Sequence, residues 1–519
     1  MVGAYASFGC ATPLSTSLRH LSHLSSTLTP SKPHQFSALR ATATIAAAKM
    51  PGSSSKSHPS LEVIGGAVNT FLPAFKTLHL PYVPYPFIGW NCHVETIFAA
   101  FFRSLPDVRF RRECLRTRDD GAVALDWVSG DDRNLPSNSP VLILLPGLTG
   151  GSEDTYVRHM LLRGRSKGWR VVVFNSRGCG NSPVTTAQFY SASFLGDISE
   201  VVEHVGNRYP IANLYAVGWS LGANILSDMW ASLSSKFSIM LCSIQLLDAC
   251  SSRKWTLSVL YCNESFSCPL AGAISLCNPF NLIIADEDFR KGFNIVYDKA
   301  LANALCKIFR RHALLFEDIG GEFNIPLAAN AKSVREFDDG LTRVSFGFKS
   351  VDDYYSNSSS SDSIKNVSIP LLCIQAENDP IAPSRGIPRE DIQKNPNCML
   401  IVTPKGGHLG WVAGGEAPLG APWTDPIVMD FLEHLEQARV SSFVTTSTSL
   451  EDANVTGTLH QVESAKLGNC HCSESFSLPR VPLLVSSPEG GQNQHHMRGK
   501  YFKGRFTSFS ALEFGWDIR

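Results

Sequence analysis

The sequence predicts an α/β protein in which helices cover both faces of a mostly parallel central sheet and a helical excursion forms a lid. Short apolar runs alternate with amphipathic helical segments from residue 141 to residue 217, which is typical of a parallel sheet buried on both faces. Hydrophobic residues make up 44% of the 519 residues, enough for a sizeable core. A mainly helical stretch, 285–367, then separates two later apolar runs, and there we expect the lid.

The individual elements follow one another regularly along residues 108–440, which we expect to form one domain. Asp119-Asp120-Gly121 is a hairpin turn signal, so the first two strands are expected to pair with each other. The predicted strands are Val108–Leu115, Val123–Val128, Val141–Leu145, Arg170–Phe174, Leu214–Val217, Gly272–Leu276, Leu371–Gln375 and Met399–Val402. The predicted helices are one from Glu153, Phe194–Val205 and Pro426–Ala438.

The segments that flank this domain have a different composition. No acidic residue precedes Glu62, and residues 1–60 combine Ser, Thr, Ala and Pro with scattered Lys and Arg, as transit peptides do. We expect this segment to be disordered and to direct the protein to the chloroplast. The alternatives are an ordinary disordered terminus and a cytoplasmic form that starts at Met50. The Pro-rich, aromatic residues 61–107 are expected to wrap over the core, and the polar residues 441–519 to be disordered.

Charge and cysteine patterns argue against several classes of function. Lys plus Arg and Asp plus Glu number 46 each, without a basic stripe, so nucleic acid is not an expected partner. The 14 Cys lack paired CxxC spacing, and Cys470-His471-Cys472 has no second ligand pair, so no metal site is expected. No apolar run reaches the roughly 18 residues that span a bilayer, so any membrane contact is expected to be peripheral. The sequence carries no indication of an oligomeric state.

Gly218-Trp219-Ser220-Leu221-Gly222 has the GxSxG pattern of a nucleophile elbow. A serine hydroxyl becomes a nucleophile only when a base takes its proton, and the elbow presents that hydroxyl in a strained turn between a strand and a helix. The β-type run Leu214–Val217 precedes the pattern, and a helical pattern opens at Ala223. This context predicts that Ser220 is a catalytic nucleophile.

An acid and a base are predicted after two late strands. In this class of site the acid precedes the histidine in the chain, and each follows a strand. Asp379 comes after Leu371–Gln375, and His408 comes after Met399–Val402. We therefore predict that His408 takes the proton of Ser220 and that Asp379 orients His408.

Two backbone N–H groups are expected to bind the oxyanion that forms when the serine attacks a carbonyl. Leu221 supplies one by its position directly after Ser220. The Gly-rich stretch Pro146–Gly151 follows a predicted strand and offers the second, at Leu148. A phosphate-binding loop is the alternative for this stretch, but the Gly-Lys-Ser/Thr ending is absent.

Other residues are candidates for supporting roles. Arg177, in a Gly-rich turn, is a candidate substrate contact, with a surface arginine as the alternative. Asp338 and Asp339 are weaker alternatives to Asp379 because no strand leads into them, and Asp197 is expected on a helix surface. The helical excursion is expected to line an apolar acyl pocket through Phe289, Phe293, Ile308 or Phe309. The alternative is that these side chains serve only core packing.

Several stretches together resemble the YheT-like branch of the α/β-hydrolases, which includes plant embryogenesis-associated hydrolases and animal membrane-associated lipases and phospholipases. The resemblance covers residues from Asn91 to about Leu435. It implies an α/β-hydrolase fold, the triad of Ser220, Asp379 and His408, no cofactor, and hydrolysis of an acylglycerol-like lipid or a short-chain ester. The stretches that carry it are Asn91-Cys92-His93-Val94-Glu95-Thr96, Pro146–Gly150, Asn175–Gly180, Gly218–Asn224, Cys277–Phe280, Asn378-Asp379-Pro380 and Gly406-Gly407-His408.

The chain also departs from that family. The membrane helix of the animal members is replaced by the transit-like segment, and the HxxxxD acyltransferase signature is absent because Ala413 stands five residues after His408. About fifty residues separate Ser220 from Gly272, where a crossover needs roughly twenty. We expect an atypical insertion at 227–267, from a translated intron or an alternative exon. A noncatalytic interaction protein on a hydrolase scaffold and a splice variant with impaired activity are therefore the alternatives to an active esterase.

Overall fold

The computed structural model of the protein describes residues 61–229, 270–317 and 320–452, with 440–452 as backbone alone. Four predicted features lie outside the described residues: the transit-like segment 1–60, residues 230–267 of the expected insertion, Cys470-His471-Cys472, and residues 453–519 of the tail expected at 441–519. The first residues of that tail, 441–452, are helical, so the expectation of disorder is wrong for them.

Nine strands of the described residues form one sheet in the order β1-β9-β8-β7-β6-β4-β5-β3-β2. Neighbouring strands from β4 to β9 pair in parallel, whereas β1, β2 and β3 pair antiparallel with their neighbours. The predicted fold class is thereby confirmed. The strands are β1 (Glu62–Ile64), β2 (Phe110–Arg116), β3 (Ala122–Val128), β4 (Val141–Leu145), β5 (Arg170–Asn175), β6 (Leu214–Trp219), β7 (Leu270–Leu276), β8 (Leu371–Ala376) and β9 (Cys398–Thr403).

The helices lie between and after these strands. No helix in the described part of the chain is long and apolar enough to cross a membrane. The α-helices are α1 (Val68–Phe71), α2 (Cys92–Phe101), α3 (Asp131–Asn134), α4 (Thr155–Ser166), α5 (Gly196–Arg208), α6 (221–229), α7 (Leu282–Phe289), α8 (Asn294–Arg310), α9 (Ile325–Asn330), α10 (Val334–Phe337), α11 (Arg343–Ser345), α12 (Val351–Asn357), α13 (Arg389–Lys394) and α14 (Thr424–Asp452). A π-helical turn spans Asp338–Thr342, and 3-10 turns span Leu72–Ala74, Thr77–His79, Cys179–Asn181, Ala313–Phe316, Ile364–Asn366 and Ser384–Gly386.

Strand β4 separates two hydrophobic cores. Successive side chains of a strand point to opposite faces, so Leu142 and Leu144 enter one buried cluster while Ile143 and Leu145 enter the other. Residues of α4 and α14 complete the first cluster, and residues of α5 complete the second. The continuous apolar run of β4 therefore reflects a strand buried on both faces.

The first predicted hairpin is present, and one edge strand was not predicted. Strands β2 and β3 pair through a turn in which Thr117 N–H donates to Gly121 O at 3.0 Å. Strand β1 lies in the segment expected only to wrap over the core, and it pairs with β9. The sequence does not predict β1, because the strand has only three residues, all half-buried, and shows no alternation of apolar and polar side chains.

Helices fill the stretch between β7 and β8. Helices α7 to α12 fall within residues 282–357. Residues of α8, α9 and α10 build a hydrophobic cluster apart from the two cores of the sheet, and residues of α7 and α12 belong to a smaller one. The fully buried Phe309 on α8 packs edge-on against Phe316 and Phe337, with ring centroids 5.4 and 6.1 Å away. This stretch follows a carboxyl end of the parallel sheet, the edge where such folds place their ligand sites.

Candidate active site

Ser220 lies in a strained turn between β6 and α6. Its φ is +52°, a conformation that costs a residue with a Cβ, and its N–H donates to Leu276 O at 2.9 Å. A Cβ on Gly218 would lie 2.5 Å from Gly222 O, and one on Gly222 would lie 2.3 Å from Leu145 O. Both glycines of the pattern are therefore required by close backbone contacts.

Asp379 and His408 lie in hydrogen-bond contact although 29 residues separate them. The two oxygens of the Asp379 carboxylate are 3.0 and 2.9 Å from His408 Nδ1, and both side chains are buried. The N–H groups of Ile381 and Ala382 each donate to Asp379 Oδ1 at 2.8 Å. Because the Asp379 carboxylate accepts a hydrogen bond from Nδ1–H, this arrangement favours the tautomer that leaves a lone pair on Nε2.

Ser220 and His408 line the same cavity, whose volume is about 430 Å³. Among the described residues, no hydrogen bond joins the Ser220 hydroxyl to the His408 ring, a contact that commonly tightens only when substrate is present. The cavity reaches from the carboxyl edge of the sheet into the helical stretch. Its apolar lining includes Ile97, Phe101, Leu148, Phe189, Leu221, Leu282, Phe289, Leu301, Leu305, Ile308, Phe309, Phe337 and Leu409.

The loop after β4 is held by a chain of hydrogen bonds. Gly147 N–H donates to Tyr156 Oη at 3.1 Å, and this hydroxyl donates to Asp154 Oδ2 at 2.9 Å. Gly151 N–H donates to the same carboxylate oxygen at 3.1 Å. A Cβ on Gly147 would lie 3.2 Å from the Cβ of Ser220, so the loop passes directly beside the elbow.

The two predicted oxyanion donors both lie at the wall of the cavity. Thr149 N–H donates to Tyr190 Oη at 2.9 Å, but no hydrogen bond in the described ranges uses the neighbouring N–H of Leu148. Leu221 opens α6 directly after Ser220, and helix N-termini leave their first N–H groups without intrahelical partners. Neither amide is therefore committed to a hydrogen bond within the described ranges, and the oxyanion role of both stays a prediction.

Arg177 does not line the cavity. It is buried, with Nε donating to Asp197 Oδ2 at 2.9 Å and Nη1 donating to Asp119 Oδ2 at 2.8 Å, while Nη2 donates to both carboxylates. Hydrogen bonds from Arg177 lower the pKa of Asp119 to about 2. Every guanidinium nitrogen is engaged and the side chain is buried, so Arg177 is neither the candidate substrate contact nor the alternative surface arginine. Asp197 is buried rather than on a helix surface.

The two alternative acids lie on the helical stretch, and among the described residues neither makes a hydrogen bond to His408. Asp338 lines the cavity and accepts a hydrogen bond from Tyr355 Oη at 2.8 Å, and burial raises its pKa to about 7. Asp339 is bound to Arg343 at 2.7 Å. No group of three or more His, Cys, Asp or Glu in the described part of the chain could hold a metal ion.

Two residues near the cavity differ from expectation. Phe293, expected in the acyl pocket, is half exposed and does not line the cavity, whereas Phe289, Ile308 and Phe309 do. The sequence predicts no role for Thr96 of α2, yet its Oγ1 accepts the backbone N–H of His408 at 2.9 Å. The stretch Asn91–Thr96 contributes to the family resemblance, but the sequence does not indicate which residue it contacts. A contact between residues 312 positions apart leaves no local sequence pattern.

The chain is similar to proteins of known family. Residues 140–238 match the family described as alpha/beta hydrolase fold. Embryogenesis-associated protein EMB8 of Picea glauca is 60% identical over 389 residues, which cover 73% of this chain and 78% of that protein. Phospholipase ABHD3 of Homo sapiens is 32% identical over 370 residues, 70% of this chain and 81% of that protein. Monoacylglycerol lipase of Saccharomyces cerevisiae is 31% identical over 296 residues, 55% of this chain and 58% of that protein.

Among solved structures, the esterase Pf2001 of Pyrococcus furiosus is similar over 65% of this chain and 97% of that chain. Its sequence identity is 14% and the TM-score is 0.39.

Proposed function

The chain belongs to the α/β-hydrolase family, and we propose that it is a serine hydrolase that cleaves carboxylic esters through an acyl-enzyme. One observation carries the proposal: Ser220 of the elbow and His408, which is bonded to Asp379, open into a single cavity with a largely apolar wall. Such an arrangement can activate a nucleophile, bind an apolar acyl group and exclude bulk water in one place.

In the first step the Ser220 Oγ attacks the ester carbonyl while His408 Nε2 takes the hydroxyl proton. A C–O bond forms to Oγ, and the carbonyl electron pair moves onto the oxygen. The N–H groups of Leu148 and Leu221 stabilise this oxyanion, and Asp379 stabilises the imidazolium formed at His408. These groups are fixed before the reaction by the bonds described above, so little reorganisation is needed.

In the second step the tetrahedral intermediate collapses. The bond to the leaving alkoxide breaks, and the proton held on His408 Nε2 passes to that oxygen to release the alcohol. Water then attacks the acyl-enzyme with His408 again acting as the base, which releases the carboxylic acid and restores Ser220.

The cavity supports an acylglycerol-like lipid or a short-chain ester as the substrate. Apolar side chains of α7, α8 and α10 form much of the wall, and acyl groups gain free energy by leaving water for such a wall. On α2, Phe101 lines the cavity and is also 62% exposed, with the exposed Phe102 beside it. These residues support peripheral contact with the lipid from which the substrate comes. Two relatives named as a phospholipase and a monoacylglycerol lipase are consistent with this substrate class.

A fluorophosphonate probe tests the proposal, since it reacts with an activated serine rather than with serines in general. We expect the full chain to be labelled and Ser220→Ala to lose labelling completely. Ser191→Ala is the matched control, because Ser191 also lines the cavity and its loss should leave labelling intact. Absence of labelling in a well-folded wild type would contradict the proposal and favour a noncatalytic interaction protein.

A further inference from the structure

Helix α2 begins at a well-defined cap and runs beside the loop that carries His408. The Asn91 side chain accepts the N–H groups of His93 and Val94 at 2.8 and 3.3 Å, which fixes the first turn of the helix. This first turn belongs to a stretch that the proposed reaction leaves without a role. We name residues 406–412 the His408 loop.

Three side chains at or just after α2 bind the backbone of the His408 loop. Thr96 Oγ1 accepts the N–H of His408 at 2.9 Å, and Glu95 Oε1 accepts the N–H of Val412 at 2.7 Å. Arg103 donates to the carbonyls of Leu409, at 3.0 Å, and Gly410. The loop is therefore held at its start, its middle and its end from one direction.

The loop backbone needs such support because much of it is in left-handed conformations. The φ values are +150° at Gly406, +54° at Gly407, +61° at Leu409 and +43° at Trp411, and the last two residues carry side chains. Non-glycine residues adopt this region only when surrounding contacts over-determine it. Hydrogen bonds from Glu95 and Thr96 of α2, and from Arg103 just after it, supply such contacts.

The fit between α2 and the loop is also close. A Cβ on Gly407 would lie 2.6 Å from Thr96 Oγ1, and one on Gly410 would lie 2.6 Å from Glu95 Cγ. Any side chain at these two loop positions would push the loop away from the helix. A shift of the helix would in turn move the loop, because the two segments are closely packed.

Glu95 is an unusual residue to bury at this place. It is fully buried, and its second carboxyl oxygen has no hydrogen-bond partner in the described part of the chain. Burial raises its pKa to about 7, although the nearby Arg103 acts in the opposite direction. Burying a carboxyl whose second oxygen has no hydrogen-bond partner is unfavourable for stability, which points to a role in placing the loop.

We propose that α2 is a cradle for the His408 loop, and that Thr96 and Glu95 are positioning residues that aim the His408 imidazole at Ser220. Thr96 fixes the backbone of His408 itself, and Glu95 fixes the end of the loop at Val412. The expected effect on the rate of ester hydrolysis rests on the proposed function, because the position of the loop affects that rate only if His408 is the catalytic base.

Two pairs of variants separate a positioning role from a merely structural one. Thr96→Val keeps the shape but removes the acceptor for His408 N–H, whereas Thr96→Ser keeps the hydroxyl. Glu95→Ala removes the acceptor for Val412 N–H, whereas Glu95→Gln keeps an amide oxygen in its place. Asp131→Ala is the matched control, since Asp131 is likewise buried, binds Arg165 through Oδ1 and leaves Oδ2 unpartnered, but lies away from the cavity.

Ester turnover and amide hydrogen exchange of the full chain are measured for all five variants. We expect Thr96→Val and Glu95→Ala to lower kcat by about 10- to 100-fold, with KM within about threefold, because a displacement near 1 Å costs this much in rate. Exchange at residues 406–412 should become faster in these two. Thr96→Ser, Glu95→Gln and Asp131→Ala should keep kcat within about threefold of wild type.

The proposal is overturned if Glu95→Ala and Thr96→Val turn over ester at the wild-type rate, or if Asp131→Ala loses as much activity as they do. Amide hydrogen exchange tests the support of the loop by α2 independently of enzymatic activity. An inactive wild type would refute the esterase, while unchanged exchange of the loop in both acceptor-removing variants would refute the cradle.

Discussion

Two regions enclose the cavity and are held in place by different interactions. We name the loops that carry Ser220, Asp379 and His408 the catalytic edge, and residues 282–357 the helical cover. On the catalytic edge, polar groups bind backbone and each other, as Asp379 does with two N–H groups and with His408. On the helical cover, aromatic and aliphatic side chains pack against one another around α8.

This difference predicts how each region responds to change. Hydrogen-bonded geometry is lost abruptly when one partner is removed, because the remaining partner is left misaligned or unsatisfied. Apolar packing responds in proportion to volume. Substitutions on the catalytic edge should therefore stop the reaction, and substitutions on the helical cover should change which substrate is accepted or how stable the protein is.

The largest expected effect is at the acid of the catalytic edge. Asp379→Asn keeps the size of the side chain but cannot stabilise the imidazolium, and its amide favours the wrong tautomer of His408. We expect kcat for ester hydrolysis to fall about 10³- to 10⁴-fold. Asp338→Asn on the helical cover is the control and should stay within about tenfold, because Asp338 does not contact His408. A wild-type kcat in Asp379→Asn would remove Asp379 from the reaction.

A smaller, selective effect is expected from the wall of the helical cover. Leu301 on α8 lines the cavity, so Leu301→Trp should shorten the space for an acyl chain. We expect kcat/KM for a long-chain p-nitrophenyl ester to fall about tenfold or more, with a short-chain ester within about threefold. Leu314→Trp is the control, since Leu314 is 80% exposed and lies outside the cavity wall. An equal loss on both esters would mean that Leu301 does not bound the acyl site.

A third effect concerns the pH dependence of stability rather than the reaction. The pKa of Asp338 is raised to about 7 by burial, so between its ordinary value and 7 the folded protein holds a proton that the unfolded chain has lost. Stability therefore falls as pH rises through this window, and Asp338→Asn should stabilise more at pH 8 than at pH 5, by about 1–3 kcal/mol. Glu95 and Asp425, with pKa values raised to about 7 and 8, keep part of the dependence in the variant.

Urea unfolding at the two pH values measures this difference. The exposed Asp362→Asn should leave the pH dependence unchanged. An identical gain at both pH values for Asp338→Asn would show that burial does not hold the proton on Asp338.

The same comparison explains what the sequence could predict. Ser220, Asp379 and His408 each follow a buried apolar strand, and the strand ends were predicted to within about two residues because such runs are locally distinct. Their side chains belong to short motifs with a fixed order along the chain. The spatial contact of Asp379 with His408 follows from neighbouring parallel strands, β8 and β9.

Contacts between distant segments could not be predicted. Arg177 finds its partners 20 and 58 residues away, and only the folded chain brings Asp197 and Asp119 around it. Its burial therefore contradicted the expectation of a substrate contact. The support of His408 by Thr96 spans 312 residues and depends on how α2 lies against the His408 loop.

Strand β1 sets a limit on how far the amino terminus can be shortened. Its residues pair with 400–402 of β9, and Glu62 is bound to Arg389 at 3.0 Å. Proteolytic removal of residues 1–60 leaves these bonds intact, whereas removal up to Gly66 exposes β9 as an unpaired edge that can pair with another chain. Because β9 leads directly into the His408 loop, removal of residues 1–66 should cause both self-association and loss of ester turnover. Size-exclusion chromatography and an ester assay of the two truncated proteins measure these two effects.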